Sequence, residues 1–333
     1  MSRRKTILRQ VALLLCVALL FASFNGGLYL LLTRRLSNNF SGASQAKMID
    51  VGRYLPFEET SDLARVKTSL RLSGDLPVLD GAAALVPVYA AVIDALYPAG
   101  SVTYEGGAFS DDNYYGENFA PDSVMQYKNT VRGYKAVVDG ETDIFFSAAP
   151  SAEQRQYAEE QGVALRCVPI GLEAFVFFVN ANNPVDSLTA EQIRAIYAGD
   201  ITNWAQAGGV HRPINPVTRL KGSGSQTAMD RFMDDTPYGR KSPLVLFGAS
   251  IGYSFRYYME GIVGNDAVKM LALNGVAPTK ENIQNRSYPI VAEFYAVYRE
   301  DNPNPNIPLL IDWLLSDQGQ RLIEDSGYVR LGG

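Results

Sequence analysis

The stretch SLTAEQIRAIYAGDITNW (residues 187–204) contains the clearest helix signal of the chain. Thr189 and Gln192 have the spacing of a capping box, in which each side chain bonds the backbone N–H of the other residue. Apolar residues at helical spacing follow at Ile193, Ile196 and Tyr197, and Gly199 ends the run. The stretch therefore predicts one amphipathic helix that begins and ends at defined residues.

The same strand, loop and helix arrangement repeats on both sides of this stretch. Short apolar strands are predicted at 76–79, 143–147 and 174–179. Helices are predicted after the small residues 80–84, after Thr130 as an N-cap, after the capping box of Ser151 and Gln154, and after the Gly-Ser-Gly-Ser loop 222–225. Repetition of this kind indicates an α/β fold with parallel sheets flanked by helices.

Charge is unevenly distributed along the chain. The 333 residues carry 30 basic and 35 acidic side chains, a formal charge of −5. Residues 1–35 hold six of the basic side chains and no acidic one, so the remainder has 24 bases, 35 acids and a charge of −11. Such a body lacks the clustered positive charge that phosphate-backbone binding needs, so we predict no nucleic-acid partner.

Residues 11–32 contain no charged side chain, and 22 residues are enough to cross a bilayer as a helix. Four bases precede this stretch and two follow it, which predicts a cytoplasmic tip and a large body on the extracytoplasmic side. A cleaved signal peptide is the alternative; the long apolar run without a small-residue cleavage site disfavours it. Cys16 lacks the preceding small residue that lipid attachment requires. Cys167 has no disulfide partner outside the membrane, so we expect a lone buried thiol.

Three predicted helix starts have small or hydroxyl residues where backbone N–H groups lack a helical partner. They lie at 82–84, 129–130 and 222–225. A helix N-terminus offers donors and a partial positive charge, both of which suit an oxyanion. Arg219, three residues before the last of these loops, adds a guanidinium that could bind two oxygens. Each feature alone is more typical of a turn or a cap, but together they indicate an anion site.

Other chemistries lack the residues that they need. The chain has one histidine, His211, and no G-x-S-x-G pattern around Ser223 and Ser225, which disfavours a Ser-His-Asp hydrolase. A zinc site lacks ligands, and Lys221 precedes the glycines of its loop instead of following them as in a Walker A motif. Residues 111–122 resemble a calcium loop, but Tyr115 stands at a ligand position. We therefore predict no metal, no cofactor and no enzymatic reaction.

Two further residues have two interpretations each. Tyr253, in an aromatic run, either belongs to the core or lines a cleft. Asp143 is either a strand-end residue or a partner that orients Arg219.

The motifs at 187–204, 219–232 and 251–253 resemble those of the phosphate-binding proteins of ABC-type importers. The ending is similar too, at 288–290, 316–320 and 327–329. The resemblance spans about residues 76–331 and implies a type II periplasmic-binding-protein fold, in which two α/β lobes close on a ligand in a central cleft. It implies that lobe I comprises 76–171 and 286–333 and that lobe II comprises 172–285. We interpret 1–35 as the cytoplasmic tip and transmembrane anchor and 36–75 as a stalk.

The resemblance also assigns ligand residues. Arg219 matches the ligand arginine of the family, and Ser223, Gly224 and Ser225 match the donors of the same loop. Thr130 stands where the family has a ligand serine.

The first loop and one strand end depart from the family. Ala83 replaces a hydroxyl residue, although the backbone N–H of Ala84 remains as a donor. The acidic residue that follows the strand serine in well-studied phosphate binders is Ala148 here, after Ser147. Because that acid accepts the proton of hydrogen phosphate, discrimination of phosphate from sulfate loses its usual basis. Ala83, Ser147 and Tyr253 complete the candidate site.

The sequence thus predicts a membrane-anchored, extracytoplasmic solute-binding protein. It would capture phosphate or a similar oxyanion by lobe closure and deliver it to an ABC permease, and nothing requires more than a monomer. Two alternatives stay open. One is a sensory or adhesive module of the same fold with a retuned or lost anion pocket, and the other is a phosphate-ester hydrolase, which the single histidine disfavours.

Overall fold

The structure is a computed structural model that describes residues 49–332, except 107–117, 220, 222, 240–248 and 265, together with 16, 19–21 and 23–27. The predicted membrane-spanning stretch 11–32 and the calcium-like loop fall largely outside these residues. In the part of the chain that is described, no helix is both long and apolar enough to cross a membrane.

The described strands are β1 (Leu79–Gly81), β2 (Tyr104–Gly106), β3 (Asn118–Phe119), β4 (Ile144–Ala148), β5 (Leu165–Asn180), β6 (Ser187–Leu188), β7 (Ile214–Pro216), β8 (Ala249–Phe255), β9 (Val268–Met270), β10 (Ala272–Leu273) and β11 (Val291–Arg299). The described α-helices are α1 (Val86–Leu96), α2 (Asn129–Asp139), α3 (Ala152–Glu160), α4 (Ala190–Ala198), α5 (Gly224–Met233), α6 (Lys280–Gln284), α7 (Asn306–Leu315) and α8 (Asp317–Asp325). Short 3-10 turns lie at Val51–Tyr54, Ala83–Leu85 and Trp204–Ala207, and a π-helical segment lies at Tyr258–Val263.

Seven of the described strands form one mixed sheet in the order β1-β4-β11-β5-β8-β7, with β9 paired to β5. β1 with β4 and β7 with β8 run parallel, as the sequence pattern predicts. β11 runs antiparallel to both β4 and β5, and β5 runs antiparallel to β8. The prediction of parallel sheets is therefore confirmed for the first two strand pairs and wrong for the pairs that β5 and β11 make. β5 and β11 carry the chain across the molecule in opposite directions, so they must pair antiparallel.

The 16-residue strand β5 connects two hydrophobic cores. Its residues up to Ala174 pair with β11, and those from Phe175 onward pair with β8. The first core includes α1, α7 and α8, and the second includes α4, α5 and β8. Leu172 and Val329 exchange two backbone hydrogen bonds, of 2.7 and 3.1 Å, at the crossing between them. The chain therefore has two packed bodies joined by a continuous strand.

A smaller cluster covers the outer face of the first body. It packs α2 and α3 against Phe145 of β4 and Val297 of β11, with Tyr134 and Ala158 as the helical contributions. This cluster fixes where both helices begin relative to the sheet.

Residues 49–75, the described part of the predicted stalk, pack on the fold. Their buried residues in the first core are Ile49, Val51, Tyr54, Leu63 and Leu72. The Leu72 N–H donates to the Leu96 carbonyl at 2.8 Å, and the Phe57 N–H donates to the Asp94 carboxylate at 2.7 Å. This segment therefore belongs to the folded body, in contrast to the stalk interpretation. Its apolar residues have no helical or strand period, so the sequence pattern did not indicate burial.

Local signals define several helix ends as predicted. Thr189 with Gln192 and Ser151 with Gln154 both form complete capping boxes, at α4 and α3. Gly199 ends α4 in the left-handed conformation with a φ of 85°. These three predictions are confirmed, because each depends on residues within one helical turn.

The predicted N-cap role of Thr130 is wrong. α2 begins two residues earlier than that role requires, at Asn129, which adopts a φ of 63°, and its N-cap position is Lys128, whose side chain makes no capping bond. The Asn129 Oδ1 accepts a hydrogen bond from the Val131 N–H at 2.9 Å. Asparagine tolerates this left-handed backbone better than most residues, so it starts the helix and leaves the Thr130 hydroxyl out of the cap.

Two expectations about single side chains are resolved by their surroundings. Cys167 is exposed on β5, so the expected buried thiol is wrong. Asp143 accepts hydrogen bonds from the Val78 N–H and from Asn302 Nδ2, both at 2.7 Å. It therefore joins the end of one strand to a neighbouring loop and does not orient Arg219.

Candidate functional site

A small cleft of about 40 Å³ lies between the two bodies. Its lining from the first body comprises Ala82, Ala84, Leu85, Thr130, Ala148, Ala149, Gln154, Glu293, Phe294 and Tyr328. Its lining from the crossing strand and the second body comprises Glu173, Gly224, Thr227 and Phe255. Three of the candidate ligand residues, Ala84, Thr130 and Gly224, therefore meet at one place although they are far apart in the chain.

Helix α5 brings its N-terminus to this cleft. Ser223 is the N-cap, and its Oγ accepts a hydrogen bond from the Gln226 N–H at 3.2 Å. Gly224 and Thr227, one turn apart, line the cleft. The positive end of the helix dipole thus lies at the cleft wall, where it favours an anion.

Thr130 lies in the first turn of α2 and is partly buried. Asn129 Oδ1, and not the Thr130 hydroxyl, accepts from backbone N–H groups of the first turn, and the Thr130 hydroxyl has no hydrogen bond to any residue that the structure describes. Thr130 lines the cleft, so its hydroxyl is available there as a donor.

The third helix start, at 82–84, comes from a 3-10 turn. The Ala84 carbonyl accepts a hydrogen bond from the Tyr328 hydroxyl, which fixes the turn against the C-terminal segment. Ala83 packs against both hydrophobic cores and is absent from the cleft lining. This wall is therefore made of methyl groups and backbone, without a hydroxyl.

Arg219 does not line this cleft. It lines a second, larger pocket of about 460 Å³, together with Tyr197, Pro216, Thr218, Lys221, Gln226, Asp230, Tyr238 and Gly239. The Arg219 N–H donates to Gln226 Oε1 at 2.9 Å and to the Tyr253 hydroxyl at 3.0 Å. Burial raises the pKa of Tyr258, while the charge and a side-chain hydrogen bond of Arg219 lower it, so the guanidinium lies against Tyr258.

The remaining candidates lie beside the cleft and not in its lining. Tyr253 is buried, and its hydroxyl donates to Gln226 Oε1, so it braces α5 from behind. Ser147 is also buried, and its hydroxyl donates to the Ala148 carbonyl at 2.8 Å. Ser225 is partly buried in the first turn of α5.

Two carboxylates face the cleft that the sequence pattern did not single out. Glu173 is buried and accepts hydrogen bonds from the Ala174 N–H at 2.8 Å and the Tyr257 N–H at 3.0 Å, with Arg256 at 3.4 Å. Burial raises the pKa of Glu173 to about 7, and the charge of Arg256 opposes that rise. An anion in the cleft favours the protonated form of this glutamate.

Glu293 is the other carboxylate of the lining. It accepts a hydrogen bond from the Tyr295 hydroxyl at 2.9 Å and lies 3.4 Å from Arg286. Gln154 and Thr227 complete the polar lining. Only Thr227 had a sequence signal, because it follows Gly224 by one helical turn and so shares its face.

Comparisons with known proteins agree with this architecture. A family model for the PBP superfamily domain matches residues 112–318, which is more than half of the chain. The phosphate-binding protein PstS of Borreliella burgdorferi is 25% identical over 175 residues, 47% of this chain and 63% of that protein. The phosphate-binding protein PstS of Bacillus subtilis is 23% identical over 251 residues, 69% of this chain and 81% of that protein.

A solved structure gives the same picture. It is a crystal structure, with bound phosphate, of a Clostridium perfringens protein assigned as a phosphate ABC transporter substrate-binding protein. It shares 26% sequence identity and a TM-score of 0.55 with this chain, and it covers 76% of this chain and 98% of its own. The predicted periplasmic-binding-protein-like α/β fold is therefore confirmed, and this chain belongs to the PBP superfamily.

Proposed function

We propose that this protein is an extracytoplasmic solute-binding protein that captures phosphate or a similar oxyanion for an ABC importer. The observation that carries the proposal is the meeting of Ala84, Thr130 and Gly224 in one cleft between two packed bodies. The names of the similar proteins support the choice of ligand, since they are phosphate-binding proteins and a phosphate ABC transporter substrate-binding protein.

In this proposal the two bodies are lobes that close on the anion. Lobe I comprises 76–171 and 286–333, and lobe II comprises 172–285. The change of pairing partner along β5 and the separate cores support that division. Residues 11–32 anchor the protein in the membrane, and the anion passes from a monomer to the permease. Closure of two lobes by a hinge is a common mode of ligand capture.

The proposed shell combines donors from both lobes. The Thr130 hydroxyl, the backbone N–H groups of Ala84 and Gly224, and the hydroxyls of Ser223 and Ser225 donate to the anion. Arg219 joins them when its guanidinium leaves the Tyr258 hydroxyl on closure. Because Arg219 now lies outside the cleft, we expect it to contribute less to anion binding before closure than Ala84, Thr130 and Gly224 do.

Isothermal titration calorimetry of the full-length chain with phosphate, sulfate and small organic anions tests the proposal. Thr130→Val keeps the shape of the side chain and removes its donor, so we expect phosphate affinity to fall about tenfold to hundredfold, as for a lost hydrogen bond to a charged group. Arg219→Ala should also abolish tight binding. Thr202→Val, at an exposed threonine outside the cleft, is the matched control and should bind as the wild type does.

Absence of heat with every oxyanion would overturn the proposal. Turnover of a phosphate ester by the wild-type protein would instead point to the hydrolase alternative.

A sensory or adhesive module with a retuned pocket is the second candidate. The apolar part of the cleft lining favours it, namely Leu85, Phe255, Phe294 and Tyr328, together with the alanines at 82, 84, 148 and 149. Binding of a small organic anion with higher affinity than phosphate or sulfate would decide for this candidate.

A further inference from the structure

Two arginines from opposite sides of the cleft meet at one backbone oxygen. Arg231 of α5 donates from Nη2 to the Pro150 carbonyl at 2.6 Å and to the Ala149 carbonyl at 3.2 Å. Arg155 of α3 donates from Nη1 to the same Pro150 oxygen at 2.7 Å. α5 packs in the second core and α3 packs on the first body, so this pair, the mouth pair, joins the two.

The positive charge of the mouth pair is not neutralised by the part of the protein that the structure describes. Neither guanidinium forms an ion pair with a described carboxylate, and both residues are exposed, with their bonds to the Pro150 carbonyl part-buried. Desolvation and then the charge of Arg155 lower the pKa of Arg231, as expected for two like charges held close together. A carbonyl oxygen shared by both offsets only part of that repulsion.

The mouth pair lies beside the cleft lining, although neither arginine is part of that lining. Thr227 lines the cleft, and Arg231 follows it four residues later on the same face of α5. Ala149 also lines the cleft, and its carbonyl accepts from Arg231. Gln154, which precedes Arg155 in the sequence, also lines the cleft.

Guanidinium groups have five N–H donors in a planar fork that fits the oxygens of a phosphoryl group. Each member of the mouth pair bonds carbonyl oxygens through one terminal nitrogen, which leaves its other nitrogens for a ligand. An oxyanion here would bond both lobes at once and relieve the like-charge repulsion.

We propose that Arg155 and Arg231 form a second anion subsite at the cleft mouth, which takes the outer phosphoryl group of a ligand with two anionic groups. The ligands are then diphosphates or phosphate esters that carry a second charged group. This rests on the proposed function, because the first anionic group occupies the cleft. Binding at the mouth also favours the closed arrangement, since its donors come from both lobes.

Calorimetry of the full-length chain with pyrophosphate and with orthophosphate tests the subsite. We expect Arg231→Gln and Arg155→Gln each to lower pyrophosphate affinity about tenfold or more, the loss of a charge-assisted contact, and to change orthophosphate affinity far less. Arg166→Gln is the matched control, because Arg166 is an exposed arginine of β5, 3.4 Å from Glu300 and away from the cleft lining. The affinity of the Arg166→Gln variant for pyrophosphate should stay within about twofold of that of the wild type.

The outcomes separate the subsite from its alternatives. An equal loss of affinity for both ligands in the two variants would mean that the arginines only latch the lobes, and unchanged pyrophosphate binding would mean that they hold no ligand; either overturns the proposal. A calorimetric stoichiometry of two orthophosphates per chain, reduced to one in Arg231→Gln, would also support the subsite. Its occupant would then be a separate anion.

The remaining outcomes distinguish this proposal from the proposed function. Pyrophosphate binding that depends on the mouth pair, with no orthophosphate binding, would support the subsite and overturn orthophosphate capture. No binding of either ligand would overturn both. Arg155→Gln keeps the test valid if Arg231→Gln does not fold, because Arg155 is an exposed side chain of α3.

Discussion

At the scale of single residues, Asp80 connects two of the helix starts that form the cleft. It is fully buried, and its Oδ1 accepts hydrogen bonds from the Gly81 N–H at 2.7 Å and the Lys128 N–H at 3.1 Å. The other carboxylate oxygen, Oδ2, has no hydrogen-bond partner among the described residues. The carboxylate therefore holds the end of β1 against the start of α2, and its second oxygen is buried at a cost.

This arrangement predicts a pH-dependent stability. Burial raises the pKa of Asp80 from 3.8 to about 6. An acid with a raised folded-state pKa stabilises the fold most when protonated, so its contribution is full below pH 4 and is lost as pH rises to about 6. Asp80→Asn cannot titrate, so its free energy of unfolding should change less over that range, measured by urea denaturation.

The control for Asp80→Asn is Asp122→Asn, at an exposed aspartate. It should keep the wild-type pH dependence. The raised pKa of Glu173 also makes the free energy of unfolding decline as the pH rises to about 7. This decline should be present in the wild type and in both variants. A pH profile of Asp80→Asn that parallels the wild type would refute the assignment.

At the scale of secondary-structure elements, capping explains which helix starts were predictable. The boxes at Thr189 and Ser151 involve residues three positions apart, so their spacing alone indicates them. The start of α2 was missed because Asn129 adopts a positive φ, which the sequence did not signal there. Thr130 is therefore not the cap of α2, and it lines the cleft instead.

The capping box of α4 makes a direct prediction. The Thr189 Oγ1 accepts from the Gln192 N–H at 3.1 Å, and the Gln192 Oε1 accepts from the Thr189 N–H at 2.8 Å. Thr189→Ala removes the first bond and should lower the free energy of unfolding by about 1 kcal/mol. Urea denaturation measures this, with Thr202→Ala, at an exposed threonine, as the control that should change stability much less. Equal effects of the two substitutions would contradict the capping role.

At the scale of the whole molecule, the crossing of β5 decides where a ligand can bind. The chain changes cores at 172–175, and the Phe175 N–H donates to the Ile290 carbonyl at 3.1 Å, so the outgoing and returning segments cross side by side. A cleft between two bodies joined at such a crossing is closed by bringing the bodies together.

Ligand binding to this cleft should therefore stabilise both lobes together. At a phosphate concentration of about 100 times the Kd, linkage adds about 2.7 kcal/mol to the free energy of unfolding and raises the melting temperature. Calorimetric melting of the full chain in phosphate and in sodium chloride of equal ionic strength measures this. A similar shift in both salts would show an ionic-strength effect instead of specific binding.

The sequence by itself determined the α/β class, the capping boxes and the helix starts that suit an anion, because all of these depend on neighbours within a few residues. Only the tertiary structure decided which of them meet. It brought Ala84, Thr130 and Gly224 together, placed Arg219 against Tyr258, and set Arg155 beside Arg231. It also packed residues 49–75 on the first core. These contacts join segments tens to hundreds of residues apart, and the packing of two cores around one crossing strand selects them.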